Sequence, residues 1–167
     1  SAKAVPAAPG ITLRTAQSDE DIALARSLMN EYALALNIDL RFQDFDRELA
    51  NLPGEYAEPC GVLLLVTVGN AAAGCCALRR LDSTDYPNAS EMKRLYVRPA
   101  FRGLGVGRQL AQAILDAARR AGYSAVLLDT LSDMEAARML YEELGFSEVA
   151  PYYHNPIAGA HYLKADI

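Results

Sequence analysis

Positive charge is in short supply in this sequence. Sixteen lysines and arginines stand against 21 aspartates and glutamates, for a net charge of −5, so neither nucleic acid nor an anionic membrane surface is an expected partner. Cysteine is scarce as well. Cys60, Cys75 and Cys76 are the only three, they lack metal-ligand spacing, and adjacent Cys75 and Cys76 would point to opposite faces of a strand. Free, partly buried thiols in a reducing compartment are the expectation. The two histidines, His154 and His161, make no metal site, so none is expected. No run approaches the ~20 apolar residues that cross a bilayer. Residues 1–10, rich in Ala and Pro, lack the apolar core of a signal peptide and are expected to form a flexible tail. The protein therefore reads as cytoplasmic. Internal repeats and linkers are also missing, so residues 11–167 are expected to form one domain.

What is present is an ordinary globular composition, 51% hydrophobic and 22% charged, laid out as alternating strand and helix signals. A short strand at 11–14 is followed by Ser18 and Asp21, a capping-box-like start. Ile22, Ala25, Met29, Tyr32 and Leu36 then recur at helical spacing. A shorter helix is expected over 42–52, stopped by Pro53-Gly54. Residues 61–68 and 72–81 read as a hairpin around Gly69-Asn70, and 90–97 as a further strand. A helix over 107–121 carries the apolar stripe Leu110, Ile114 and Ala118, with Arg119 and Arg120 at its C-terminal end and Gly122 just beyond. Residues 124–130 form an apolar run of the buried-strand kind. Ser132 and Glu135 make a capping box for a last helix that Gly145 ends, and one or two strands follow. The order argues for an α/β domain on a mixed sheet.

Between the strand at 90–97 and the next helix lies Arg102-Gly103-Leu104-Gly105-Val106-Gly107-Arg108. Repeated glycine means that the backbone must turn sharply or approach something closely. A dinucleotide fingerprint wants Gly-x-Gly-x-x-Gly directly after a strand; here the glycines strictly alternate and five residues intervene. A methyl-donor loop would need several more strand–helix units than the chain has left. Both readings fail on architecture. A loop of backbone N–H groups at a helix N-terminus is an anion site, and it suits the pyrophosphate of coenzyme A, with Arg102 and Arg108 as countercharge. Lys93, Arg94, Arg98, Arg119 and Arg120 extend this basic stretch, which points to an anionic ligand.

On these residues the chain closely resembles the GNAT superfamily of N-acetyltransferases, whose motif Arg/Gln-x-x-Gly-x-Gly/Ala is matched by residues 102–107. The stretch EMKRLYVRPAFRG before it and AARMLYEELGF after it are similar to that family's central strand and final helix. Met134 stands where the family usually has Asn, which leaves one pantetheine-side hydrogen bond without its usual side chain. The resemblance implies a mixed, mostly antiparallel, twisted sheet with flanking helices, splayed at the central strands, and acetyl-CoA as co-substrate without a metal. It implies that Leu95, Tyr96 and Val97 offer backbone groups to the pantetheine arm, one N–H stabilising the oxyanion, a contribution of roughly 3–4 kcal/mol. Gly103, Leu104, Gly105, Val106 and Gly107 would hold the pyrophosphate.

By the same resemblance Tyr141 is the candidate general acid toward the CoA sulfur, against the simpler reading that it only packs in the core. Glu91 is the candidate base, directly or through a water. An acetyl-cysteine intermediate on Cys75 or Cys76 is the weaker alternative, since no base stands at an identifiable spacing from either. The resemblance implies an acceptor pocket built by the first two helices and the last strands, which offer Tyr32, Arg41, Phe42, Asp44, Phe45, Tyr152, Tyr153 and Asn155. Aromatic walls with one or two charges suit a small-molecule amine attacking directly in a ternary complex. A non-catalytic acyl-CoA-binding or sensory module is the other reading. Monomer and homodimer both remain open.

Overall fold

A computed structural model describes residues 10–37, 39–40, 44–131 and 135–167. Residues 1–9 of the tail expected over 1–10, the acceptor candidates Arg41 and Phe42, the cap Ser132 and the departure at Met134 lie outside the described residues.

Seven strands make one sheet: β1 (Ile11–Thr15), β2 (Val62–Val68), β3 (Ala71–Leu81), β4 (Ala89–Val97), β5 (Ala125–Thr130), β6 (Ser147–Val149) and β7 (His161–Asp166). Their order is β1-β2-β3-β4-β5-β7-β6. Only β4 and β5 run parallel; the other neighbours are antiparallel. Four α-helices are described, α1 (Asp19–Leu36), α2 (Phe45–Ala50), α3 (Val106–Arg120) and α4 (Glu135–Glu143).

The ends of these helices follow from local chemistry. Ser18 accepts the Asp21 N–H at 3.1 Å and so caps α1, satisfying one of the free donors of the first turn. The Asp21 carboxylate turns instead to Arg14 at 3.0 Å, and that guanidinium holds its pKa below the usual value. Gly145 ends α4 at φ 94, a left-handed position that glycine takes without strain. The second helix is shorter than its expected range, and a 3-10 turn over Gly54–Tyr56 follows it.

The sheet is covered on both faces, which explains why β2 is buried along nearly its whole length. On one face α3 sets Val106, Leu110, Ile114 and Leu115 against Leu64, Val66, Leu78 and Met92. On the other, Leu28 and Met29 of α1 and Phe45 and Leu49 of α2 cover Leu63, Leu65 and Ala77. Each fully buried leucine or isoleucine contributes roughly 1.5–3 kcal/mol relative to an exposed one. Cys75 joins the second cluster and Cys76 the first, as expected of adjacent strand residues.

Two irregularities interrupt the middle of the sheet. The ladder between β4 and β5 comprises only three pairs, Ala89, Ser90 and Glu91 with Ala125, Val126 and Leu127. Beyond Glu91 the strands part. In the same region β4 carries a bulge: the register with β3 shifts between Cys75 and Ala77, and Arg94 sits at φ 60. A bulge reverses the in–out alternation. Glu91 and Lys93 face the α1–α2 side before it, and Tyr96 faces that same side after it, while Leu95 and Val97 pack toward α3.

Candidate active site

The parting of β4 from β5 leaves a gap with a different set of groups on each side. On the α3 side, a 3-10 turn (Pro99–Phe101) carries the chain from β4 into the glycine loop. Gly103 and Gly105 take φ 82 and 79, with open space where a side chain would project. These two glycines are therefore needed for conformation, and the loop surface stays free for a ligand. Gly107 is different: it lies inside the first turn of α3, and a Cβ there would meet Val97 Cγ2 at 3.7 Å. The first-turn N–H groups of α3 have no intrahelical acceptor and sit at the positive end of the helix dipole. The Arg102 Nε donates to the Val97 carbonyl at 3.2 Å, tying the loop back to β4, and Leu104 is exposed at its tip. Such a helix N-terminus favours an anion.

The basic stretch does not form one patch. Arg94 is buried and Lys93 partly buried on the opposite face, Arg98 pairs with Glu31 at 2.7 Å, and Arg119 pairs with Asp116 at 3.2 Å. Arg102 and Arg108 alone flank the glycines, and Arg108 is ion-paired with Glu143 of α4. Sequence proximity overstated the cluster because strand alternation and the bulge distribute these side chains over both faces.

Tyr141 lies on the inner face of α4, 9% exposed, its ring edge-on to Phe146 at 5.8 Å between centroids. Its hydroxyl makes no hydrogen bond among the described residues. Burial, with smaller contributions from Cys76, Tyr32 and Asp129, pushes its pKa up, so the phenol keeps its proton at neutral pH.

Glu91 stands at the last position of β4 that pairs with β5 and is 1% exposed. Both carboxylate oxygens are held: Arg79 Nε donates to Oε1 at 2.9 Å, and the Tyr152 hydroxyl donates to Oε2 at 2.6 Å. Lys93 Nζ lies 3.9 Å from Oε1, and burial lowers the pKa of that lysine despite the neighbouring carboxylate. Glu91, Lys93, Tyr152 and Tyr153 line a cavity of about 200 Å³, with Glu55, Tyr56 and Arg79 also among its walls. Burial and the Glu91 charge push the Tyr152 pKa up.

Of the acceptor candidates, Tyr153 reaches this cavity while its hydroxyl donates to Asp129, at the end of β5. Asn155 donates to the Tyr153 hydroxyl at 3.2 Å and to Asp129 at 3.4 Å, so it braces the loop. Tyr32 packs edge-on to Tyr96 at 6.3 Å and is not among the cavity residues. The cavity instead recruits Glu48, Glu55, Tyr56 and Arg79, which sequence reasoning missed. Only the strand alternation at Arg79, opposite Glu91 in the ladder, carried a signal for any of them.

The profile of the Acetyltransferase (GNAT) family matches residues 25–146. The chain belongs to the GNAT acetyltransferase family. It is 37% identical over 158 residues to an uncharacterised N-acetyltransferase of Schizosaccharomyces pombe, covering 94% of this chain and 95% of that one. Among solved structures, an acetyltransferase from Streptococcus agalactiae superposes with a TM-score of 0.74 at 20% identity, over 95% of this chain and 99% of that chain. A second, YncA of Salmonella typhimurium, described as a putative acetyltransferase with its cofactor acetyl-CoA, gives 0.66 at 21% identity over 93% of each. This GNAT protein is thus an acetyl-CoA-dependent acetyltransferase on a mixed, mostly antiparallel open sheet. No described helix is long and apolar enough to cross a membrane, and no group of metal-ligating side chains occurs among the described residues.

Proposed function

We propose that this enzyme transfers the acetyl group of acetyl-CoA to the primary amine of a small molecule by direct attack in a ternary complex. One observation carries the reading: a glycine loop at a helix N-terminus and a cavity of about 200 Å³ approach the stretch of β4 that has parted from β5 from opposite faces of the sheet. Donor and acceptor can thus be held together at one strand, which a ternary complex requires. The small cavity, lined by three tyrosines, suits a small molecule better than a peptide.

In this reading Gly103–Gly107 and the first-turn N–H groups of α3 hold the pyrophosphate, with Arg102 and Arg108 adding charge. The backbone of Leu95, Tyr96 and Val97 receives the pantetheine arm and polarises the thioester carbonyl. Glu91 takes the proton of the acceptor ammonium. Because both its oxygens are already bonded, the proton passes through the Tyr152 hydroxyl or a water rather than directly. The amine then forms the new N–C bond, the C–S bond breaks, and Tyr141 gives the departing thiolate its proton. Cys75 and Cys76 take no part: both are fully buried, and burial pushes the Cys75 thiol up to about 12.

The test is an amine panel scored by free thiol release at saturating acetyl-CoA. Release that depends on a small primary amine is the expected result. A protein that binds acetyl-CoA and releases no thiol with any amine contradicts the proposal.

A further inference from the structure

Arg94 is a non-glycine residue in the left-handed region, at φ 60, in the middle of a strand. L-residues resist that conformation because Cβ crowds the following carbonyl, so such a residue persists only where its surroundings over-determine it. Here they do. Its side chain is 2% exposed, and its Nε and NH2 groups donate to the two carboxylate oxygens of Glu48, each at 2.9 Å. Its guanidinium lies 5.0 Å from the Phe45 ring centroid, and its carbonyl accepts from the Cys75 thiol at 3.5 Å. Gly74 lets the two strands close over the bulge: a Cβ there would stand 2.2 Å from the Tyr96 carbonyl oxygen.

This bulge decides what the donor meets. Without its extra residue, Leu95 and Val97 would turn toward α2, and the backbone of residues 95–97 would sit in the opposite phase. Glu48 belongs to α2 and also lines the acceptor cavity. One ion pair therefore ties the acceptor wall to the donor-facing backbone.

We infer that the Glu48–Arg94 pair is a positioning device that holds β4 in its left-handed bulge and so aims a backbone N–H of residues 95–97 at the thioester carbonyl. The inference rests on the donor placement proposed above. The competing explanation is a plain buried ion pair, whose partners need only neutralise each other.

The two explanations part in double variants that remove both charges. Glu48→Gln/Arg94→Met leaves a side chain that resists φ 60. Glu48→Gln/Arg94→Gly and Glu48→Gln/Arg94→Asn put residues there that accept it. The readout is the infrared carbonyl band of bound [1-¹³C]acetyl-CoA, with binding followed by calorimetry. A polarised carbonyl absorbs at lower frequency than the free thioester. The wild-type, Gly and Asn proteins should keep the low-frequency band, and the Met protein should lose at least half of the shift. Should the Met variant not fold, Glu48→Gln alone against Glu48→Gln/Arg94→Gly carries the same test, since glycine should restore a shift that the single change reduces. Equal bands in the Gly and Met variants, or no restoration by glycine, overturn the inference. A wild-type protein that binds acetyl-CoA with an unshifted band overturns it too, while leaving the donor assignment standing.

Discussion

Replacing Tyr141 by Phe removes one oxygen and leaves the ring where it is. The edge-on contact with Phe146 at 5.8 Å and the burial of the ring are both retained. The hydroxyl has no partner among the described residues to abandon, so stability should change by less than about 1 kcal/mol. Turnover is another matter. Burial raises the phenol pKa, so the group is a proton donor throughout the neutral range, and losing it leaves the thiolate to depart unprotonated. General acid catalysis is commonly worth about 10²–10⁴ in rate, equivalent to about 3–5 kcal/mol of barrier at 1.36 kcal/mol per decade. Acetyl-CoA affinity should move little, because the sulfur contact is a small part of a long ligand. Steady-state rates can hide the loss where product release limits turnover, so thiol release is followed within a single turnover, beside a thermal melt. Full single-turnover activity in Tyr141→Phe would assign the residue to the core and refute the reasoning.

Thiol labelling should find one fast-reacting cysteine, Cys60, which is exposed, while Cys75 and Cys76 react only after denaturation; a second fast thiol in the native protein would contradict the buried assignment. Stability should fall steeply as pH rises past about 10, the ordinary tyrosine value. Burial raises the native pKa of Tyr56, Tyr141, Tyr152 and Tyr153, so their contribution is complete below the unfolded value and is lost as pH climbs toward the native ones. Urea unfolding between pH 8 and 11, with tyrosinate absorbance recorded in parallel, should show the native tyrosines ionising later than the unfolded ones; coincident titrations would contradict this.

The glycine loop and the helix ends were legible in the sequence because their signals are local. Gly103, Gly105 and Gly107 fall within five residues of one another, the stripe of α3 repeats at helical spacing, and Ser18 and Gly145 mark helix ends by side-chain chemistry alone. The cavity beside Glu91 was legible only in single residues such as Glu91 and Tyr153, not as a cavity. It gathers Glu55 and Tyr56, Arg79, Glu91 and Lys93, and Tyr152 and Tyr153 from four separate stretches of chain, and no spacing rule links them. The bulge was hidden for a sharper reason: Lys93-Arg94-Leu95 contains none of the Gly or Asn that usually marks a positive φ. What makes Arg94 tolerable there is Glu48, 46 residues earlier. The same bulge scattered a basic stretch that looked continuous in sequence.

The central claim, that acetyl-CoA is held by the glycine loop, is tested most directly at Gly107. Gly105→Glu would strain the backbone at φ 79, but Gly107 lies in a regular helical turn with only an ordinary contact to Val97 beside it. A glutamate there places bulk and negative charge at the anion site and leaves the helix intact. Calorimetric titration of acetyl-CoA into the wild type and Gly107→Glu, with melts showing both folded, should give binding in the first and at least a hundredfold loss in the second, about 2.7 kcal/mol. Equal affinity in the two proteins would contradict the account.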